Sequence, residues 1–302
     1  MRFHGLDLNL LVALDALLSE ASVSRAANRL NISQSGMSGA LSRLRDHFED
    51  DLLVQIGGKM SLSPLARSLA EPLSDVLLRT QTIAALRPRF DPASAERHFT
   101  IGSSDYAASI LIAAASRAAT MAGPGITLGV RQIDPAVTSL LERGGIDFII
   151  TADQGLLSEH PSEVLFEDEF VCIAWSRNPR VKNSISLKQY RELPHVVAAF
   201  GIDARPSVFD AWLAQRREPP RNIAASLLNF ALLPEFVIGT DRIATCHKRL
   251  AALWEKRFPI RVLPLPFDGP PFFECVQWHR AADRDPAIQW FCGLLREVAA
   301  AL

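Results

Sequence analysis

Side chains that form hydrogen bonds recur along one short stretch of this sequence. Gln34, Ser35, Ser38, Ser42 and Arg45 gather on one stripe of a helix with 3.6 residues per turn. A Gln side chain can bond adenine twice in the major groove of duplex DNA, and Ser and Arg can bond phosphates or base edges. The stripe therefore predicts the base-reading face of a DNA-binding helix.

The competing interpretation is an ordinary solvated helix face, because most helices that carry Ser and Arg have no nucleic-acid partner. Between Arg25 and Arg45 the chain has two further arginines, Arg29 and Arg43, and no acidic residue. Such a segment indicates a local cationic patch, which favours DNA. The predicted DNA-binding residues are Ser24, Arg25, Ser33, Gln34, Ser35, Ser38, Ser42, Arg43, Arg45 and Lys59.

The elements that must position these side chains form a helix-turn-helix over residues 22–48. Apolar residues recur at steps of four, three and four, and therefore form the buried stripe of the second helix: Met37, Leu41, Leu44 and Phe48. Ser33 is its predicted N-cap. A shorter first helix has a small-residue inner face and ends at Asn31.

Two flanking segments complete a winged domain over residues 1–63. Residues 6–18 predict an amphipathic helix and no signal peptide, because Asp7 and Asp15 interrupt the apolar run. Residues 52–62 alternate around Gly57 and Gly58, which predicts a hairpin wing. Lys59 at its tip is either a phosphate contact or a solubilising side chain.

A long linker helix is predicted over residues 64–88, opened by Ser63 and Pro64. Its apolar seam consists of Leu69, Leu73, Val76, Thr80 and Ile83. The seam favours a dimer, and the alternative is a helix packed on its own domain. Pro72 is expected to kink the helix. Residues 89–96 are proline-rich and predict a hinge.

From residue 97 onward, strands alternate with helices, which predicts parallel strands joined by helical crossovers. We expect two similar lobes: lobe I from residues 97–168 and 269–302, and lobe II from residues 169–268. Ligands of open α/β sheets bind beyond the carboxyl ends of strands. The predicted ligand-binding residues at such ends are Ser103, Ser104, Asp105, Thr151, Glu169, Phe200 and Gly201. Each alone is also explained as a helix cap or a core residue.

Composition narrows the function. The 302 residues carry a net charge of −1, so any DNA contact must come from a local patch. The histidines lack metal-ligand spacing, and no glycine-rich phosphate loop follows a strand, so no metal or cofactor is expected. Residues 36–39 only approach a serine nucleophile elbow, which excludes that enzyme class. The four cysteines lack the paired spacing of a disulfide framework, which indicates a reducing compartment and therefore a cytoplasmic protein. A further hypothesis for function is redox sensing through Cys172 or Cys246.

Over its whole length the chain resembles LysR-type transcriptional regulators, and its nearest branch is NodD-like. In the first half, the residues that carry the resemblance lie at positions 1–3, 5–17, 33–34, 37–38 and 43–45. In the second half they lie at 160–162, 166–172, 200–201 and 276–278. The resemblance implies a multidomain protein, with an all-α winged helix-turn-helix, a dimerising linker helix and an α/β two-lobed effector domain of the periplasmic-binding-protein type.

The resemblance also implies partners and roles. The partners are operator DNA, RNA polymerase and a small aromatic inducer, either flavonoid or simpler, and a homodimer would assemble into a homotetramer, with no membrane association. The resemblance assigns base contact to Gln34. It places the inducer-binding residues near Ser104, Glu169 and residues 200–201.

The chain departs from the family pattern at Ser35, Gly36, Gly39 and Gln55. Two glycines within one helical turn cost about 1 kcal/mol each relative to Ala. Either the recognition helix is loose until DNA holds it, which we favour, or the glycines let the backbone approach a phosphate. Two function classes follow: an inducer-controlled DNA-binding activator, and a small-molecule binding module whose DNA binding is weak or lost.

Overall fold

The structure is a computed structural model that describes residues 2–3, 6–57, 59–85, 90–201, 203–216 and 221–302. Contacts divide the chain into two units. The N-terminal unit is Met1–Pro88 with Glu142–Gly145, and the C-terminal unit is Arg89–Leu141 with Ile146–Leu302. None of the described helices is long and apolar enough to cross a membrane.

The N-terminal unit contains a three-helix core, a hairpin and a long helix. In chain order the elements are β1 (Arg2–Phe3), β2 (Leu6–Asp7), α1 (Asn9–Glu20), α2 (Val23–Arg29), α3 (Gln34–Phe48), β3 (Leu53–Ile56), β4 (Lys59–Leu62) and α4 (Pro64–Ala85). The Ser22 side chain caps α2 and the Ser33 side chain caps α3, which accounts for where both helices begin. Asn31 lies between them with φ of 53°, a left-handed conformation that Asn tolerates and that ends a helix.

The core of this unit is the apolar side of α1, α2 and α3. Leu14, Ala26, Met37 and Leu44 are almost fully buried. The predicted apolar stripe of the recognition helix therefore faces inward, although Phe48 at its end is only half-buried.

The predicted wing is present as the antiparallel pair β3 and β4, in which Leu53 faces Leu62. Gly57 has φ of 59°, the left-handed turn conformation that Gly adopts without strain. Helix α4 continues through Pro72 to Ala85 and leaves Val76 and Ile83 exposed, at 46% and 69%. Residues 86–89, which include the end of the predicted linker and the first hinge residue, lie outside the described residues.

The C-terminal unit alternates strands and helices in two sheets. In chain order the elements are β5 (Arg97–Ser103), α5 (Asp105–Ala107), a π-helical turn (Ala108–Ile112), α6 (Ala113–Ala122), β6 (Ile126–Gln132), α7 (Pro135–Glu142), β7 (Phe148–Ala152), a 3₁₀ turn (Asp153–Gly155), β8 (Ser162–Asp168), β9 (Phe170–Trp175), α8 (Leu187–Glu192), β10 (His195–Phe200), β11 (Arg205–Pro206), α9 (Val208–Gln215), β12 (Ile223–Leu227), α10 (Leu233–Val237), β13 (Ile243–His247), α11 (Lys248–Glu255), β14 (Ile260–Pro264), β15 (Phe272–Trp278), a 3₁₀ turn (Arg280–Ala282) and α12 (Pro286–Ala300).

Each lobe is built on one sheet. The lobe I sheet has the order β6-β5-β7-β15-β8, and the lobe II sheet has the order β11-β10-β13-β9-β14 with β12 paired to β10. As predicted, β5 is parallel to β6 and β7, and the late strand β15 returns to lobe I. The pattern is not parallel throughout, because β15 is antiparallel to β7 and β8 and β9 is antiparallel to β13 and β14. In lobe I, α12 packs on β8, and the buried ring of Phe291 stacks on Phe99.

Candidate functional site

The outer face of α3 is polar and open to solvent. Gln34, Ser35, Ser38 and Ser42 are all exposed, whereas the apolar residues between them are buried. The Ser33 hydroxyl accepts a hydrogen bond from the Gly36 amide at 3.1 Å. The outer face of α3 therefore presents four hydrogen-bonding side chains over its first three turns, and Gln34 and Ser35 lie in the capped first turn. The N-terminal part of a recognition helix is the part that meets base edges.

The two helical glycines lie on this exposed face and differ in their surroundings. Beyond its own stretch of helix backbone and its chain neighbours, a Cβ at Gly39 would meet no atom within 4 Å, whereas a Cβ at Gly36 would lie 3.1 Å from the Ser33 Oγ. Neither glycine has a positive φ, so no backbone conformation requires a glycine at these positions. The absence of a side chain at Gly39 leaves open space on the exposed face of α3. The absence of a side chain at Gly36 leaves room for the Ser33 hydroxyl that caps the helix.

Three of the predicted DNA-binding arginines already have protein partners. The Arg25 Nε lies 3.2 Å from the Glu20 carboxylate, and the Arg43 guanidinium lies 3.0 Å from the Asp7 carboxylate. Hydrogen bonding from the Asn9 backbone amide, followed by Arg43, lowers the pKa of Asp7. Both arginines remain exposed, so their charges stay at the surface.

Arg45 differs from the other two arginines. Its Nε donates to the Asp51 carbonyl at 2.7 Å, and its terminal nitrogen donates to the Leu53 carbonyl at 3.1 Å. The side chain is half-buried and ties the end of α3 to the start of the wing. Ser24 is exposed on α2, and Lys59 begins β4, with its side chain outside the described residues.

Between the lobes of the C-terminal unit lies a cavity of about 150 Å³, which we call the cleft cavity. Its walls are mostly aromatic: Tyr106, Phe170, Phe200, Phe230 and Phe272 line it. No Lys or Arg is among the described residues that line it.

Two ionisable side chains that line the cleft cavity carry polar atoms with no hydrogen-bond partner among the described atoms. The Oε1 of Glu274 and both ring nitrogens of His247 are unpartnered, and the two residues are only 1% and 3% exposed. The His247 ring stacks on Tyr106, with centroids 3.8 Å apart. Polar atoms buried in this way are costly unless a partner arrives, so the cavity has places for a ligand to form hydrogen bonds.

Burial keeps both groups neutral. It raises the pKa of Glu274 to about 8, with help from the charge of Asp168, and it lowers the pKa of His247 to about 3. At neutral pH the cavity therefore offers a protonated carboxyl and a neutral imidazole. The neighbouring Asp168 carboxylate already has a hydrogen-bond partner, because its Oδ2 accepts the Tyr106 hydroxyl at 2.6 Å.

Three of the predicted ligand-binding residues line the cleft cavity: Ser104, Thr151 and Phe200. They follow β5, belong to β7 and end β10, as the strand-end argument requires. Ser104 also caps the helix after β5, by accepting from the Ala107 amide at 3.2 Å. The sequence argument thus brought together residues from both lobes.

Four predicted residues lie outside the described lining. Ser103 is buried and donates to the Ser104 carbonyl, while Gly201 is exposed in the turn after β10 with φ of 70°. Asp105 accepts the Ala231 amide of lobe II at 2.7 Å, and burial raises its pKa. Glu169 is exposed and pairs with Lys248 at 2.9 Å. Glu169 points away because it follows the buried Asp168 by one residue on an extended segment.

Sequence reasoning missed Glu274 and His247. A carboxylate on the inward face of the apolar strand Phe272–Trp278 was the available indication for Glu274, because alternate residues of a strand share a face. His247 ends β13, one strand-end position that was not considered.

The hypothesis of redox sensing has little support from the thiols. Cys172 and Cys246 are fully buried, and burial raises the pKa of Cys172 to about 12 and that of Cys246 well above its ordinary value. Reactive thiols need a lowered pKa and access to solvent. Within the described ranges, no group of His, Cys, Asp and Glu side chains is arranged to hold a metal ion.

A winged helix-turn-helix with an exposed polar helix, in one chain with a bilobed α/β unit that has a small cavity between its lobes, defines a transcriptional regulator with a ligand-binding half. Residues 8–67 match the family described as bacterial regulatory helix-turn-helix protein, lysR family, and residues 92–300 match the LysR substrate binding domain. The chain belongs to the LysR family of DNA-binding transcriptional regulators, as predicted, and is not an enzyme.

Its relatives include nodulation proteins over nearly full length. Nodulation protein D 2 of Rhizobium leguminosarum bv. phaseoli is 37% identical over 99% of this chain and 94% of the relative. Nodulation protein D of Azorhizobium caulinodans is 38% identical over 99% and 95%. Among solved structures, a probable transcriptional regulator from Pseudomonas aeruginosa is 28% identical, with a TM-score of 0.64 over 97% of both chains.

Proposed function

We propose that this protein is an inducer-controlled activator that reads operator DNA through α3 and binds a neutral aromatic inducer in the cleft cavity. The observation that carries the DNA half is the outward polar face of α3, with Gln34 in its first turn. The observation that carries the ligand half is an aromatic cavity with two neutral, unpartnered polar groups. An inducer of flavonoid or simpler phenolic type fits that chemistry.

In the DNA half, Gln34 is proposed to contact bases, with Ser35, Ser38 and Ser42 beside it. The exposed Arg25 and Arg43, together with Ser24, Ser33 and Lys59, are proposed to contact phosphates. Arg45 is proposed to act through the wing, because its guanidinium is already bonded to two carbonyls.

The DNA half is tested by fluorescence anisotropy of the full chain on upstream intergenic DNA and on random DNA, at several salt concentrations. We expect a large preference for the intergenic DNA and a salt slope of several units. Gln34→Ala should lose roughly 1–3 kcal/mol of specific binding while keeping its non-specific binding. Gln215→Ala, an exposed Gln on α9, is the matched control. Equal and weak binding to both DNAs would instead favour a binding module without a DNA partner.

In the ligand half, size and charge restrict the inducer. A cavity of about 150 Å³ holds one benzene-sized ring, so a larger inducer must extend part of its structure beyond it. A carboxylate would find no cationic partner among the described lining residues and would meet Glu274, whose ionisation is already unfavourable. A phenol hydroxyl can instead accept from protonated Glu274 and donate to the neutral His247 ring.

The ligand half is tested by calorimetric titration of the full chain with phenol and with benzoate, which are matched in ring size. We expect phenol to bind and benzoate to bind at least about tenfold more weakly at pH 7. Glu274→Leu should weaken phenol binding, whereas Glu169→Leu, at a surface position outside the lining, should not. A promoter reporter screened with flavonoids and simple aromatics then identifies the inducer. Tighter binding of benzoate would contradict the proposal.

Assembly is proposed from α4. Val76 and Ile83, two residues of the predicted apolar seam, are exposed, which suits pairing with a second copy. Leu73 of the same seam is instead buried in the core of the N-terminal unit. We propose a homodimer through α4, assembly into a homotetramer on DNA, and contact with RNA polymerase at the activated promoter. The relatives are named nodulation protein D, which supports the proposal that this protein also controls nodulation genes.

A further inference from the structure

A second and larger cavity lies wholly within lobe II. It has a volume of about 500 Å³, is partly open to solvent and is lined by α8, α9 and the sheet strands β10 and β12. Small-molecule sites are concave clefts or cavities of about 300–1,000 Å³. A space of this size is therefore a ligand-site candidate. We call it the lobe II cavity.

The sequence leaves this space open by placing small side chains around it. Ala198 and Ala199 on β10, Ala204 in the following loop and Ala214 on α9 all line the cavity. Ala198 and Ala199 are buried at the base of the cavity, whereas Ala204 and Ala214 are exposed at its opening; larger side chains at any of the four would narrow it. The ring of Phe267 forms a further wall and meets Tyr190 edge-on, with centroids 5.2 Å apart.

The charged groups of the lining restrict the ligand. Arg221 forms an ion pair with Asp210, and these side chains are only 9% and 14% exposed. The Ser207 hydroxyl donates to the other carboxylate oxygen of Asp210 at 2.8 Å. The buried charges therefore neutralise each other, and a charged ligand would have to break the pair at high cost. The remaining cation of the lining, Arg191, is on the solvent-exposed side of α8.

We propose that the lobe II cavity is a second small-molecule site, for a neutral and largely apolar molecule of two or three rings. A cavity of about 150 Å³ holds a single benzene ring, so 500 Å³ has room for two or three rings. Aromatic walls and alanine faces supply apolar contact, and Ser226 at the exposed edge of β12 supplies a hydroxyl. This site does not depend on the function proposed for the cleft cavity.

Direct binding of prodan, a neutral naphthalene whose emission shifts with polarity, tests the proposal on the full chain. Ala214→Trp fills the cavity from α9, and Ser226→Trp fills it from β12; both replace exposed residues, so the fold tolerates them. Gln215→Trp, beside Ala214 but outside the lining, is the matched control. Val208→Trp, in the lining of the cleft cavity, distinguishes the two cavities.

We expect saturable, blue-shifted prodan emission in the wild-type protein, in Gln215→Trp and in Val208→Trp. Ala214→Trp and Ser226→Trp should each weaken the binding by about tenfold or more. Equal affinity of Ala214→Trp and Gln215→Trp would overturn the proposal. So would loss of binding in Val208→Trp alone, or a wild-type protein that shows no saturable binding. Circular dichroism and melting temperature confirm that each variant is folded.

Discussion

Replacing Gly39 by Ala tests how the recognition helix is tuned. Ala is favoured over Gly in a helix interior by about 1 kcal/mol. A methyl group at Gly39 would meet no atom within 4 Å beyond its own helix backbone and chain neighbours, so packing against the rest of the protein neither adds to this gain nor reduces it. The local equilibrium between frayed and formed α3 should therefore shift about fivefold toward the helix.

The effect on DNA binding follows from the same number. If DNA has to order a loose α3, Gly39→Ala removes part of that cost, and operator affinity should rise by up to about fivefold. If the glycine instead lets the backbone approach a phosphate, the methyl group should block that approach, and affinity should fall. Hydrogen–deuterium exchange of the α3 amides and operator anisotropy, both on the full chain, separate these outcomes.

Two matched glycines serve as controls. Gly293 in α12 also has open space around its Cβ position, so Gly293→Ala should stabilise its own helix and leave operator affinity unchanged. Gly36→Ala should gain less, because its methyl group would lie 3.1 Å from the Ser33 Oγ that caps the helix. Unchanged exchange of α3 in Gly39→Ala would refute the reasoning.

Three further predictions follow from single contacts. Relative to wild type, Glu274→Gln should become more stable as the pH rises from 5 to 8, as measured by urea unfolding. Above the ordinary pKa of 4.5 the carboxyl ionises in the unfolded wild-type chain, whereas in the folded chain it stays protonated up to its raised pKa of about 8. The stability of the wild type therefore falls over this range. Arg45→Ala should lower thermal stability by about 2 kcal/mol through its lost carbonyl bonds, and Arg43→Ala, which loses an exposed ion pair, should lower it less. If the chain pairs through α4 as proposed, Ile83→Asp should dissociate the proposed dimer in sedimentation equilibrium, whereas Met121→Asp, at an 88% exposed position of another helix, should not.

The sequence predicted best those elements whose periodicity is strong and local. The first strand pattern of lobe I, the strand at residues 170–175 and the capped helices α3 and α12 correspond closely to the structure. Strands β8, β12 and β14 were missed. β8 is an edge strand with only three apolar residues, at positions 164–166, between polar and charged ends, and β14 is a short strand that contains an Arg and ends in Pro. Such edge segments have the composition of loops.

The candidate sites show the same limit. Strand-end reasoning located Ser104, Thr151 and Phe200, because strand ends are visible in the sequence. Glu274 reaches the cleft cavity only through the pairing of β15 with β7 and β8, which connects segments more than 100 residues apart. Arg45 bonds the wing only because the chain returns beside the end of α3. Pairings of this range cannot be deduced from local pattern.

The hydrogen bond between Asp105 of lobe I and the Ala231 amide of lobe II connects ligand size to lobe spacing. The two lobes approach closely enough for a 2.7 Å contact, and the cleft cavity between them has room for one ring. A one-ring ligand can therefore bind while that contact persists, whereas a larger inducer has to separate the lobes or extend outward. Ligands shift an equilibrium only by their difference in affinity for its states. The degree of activation by an inducer should therefore depend on where the part of the inducer outside the cleft cavity binds, and not only on the affinity of the ring inside it.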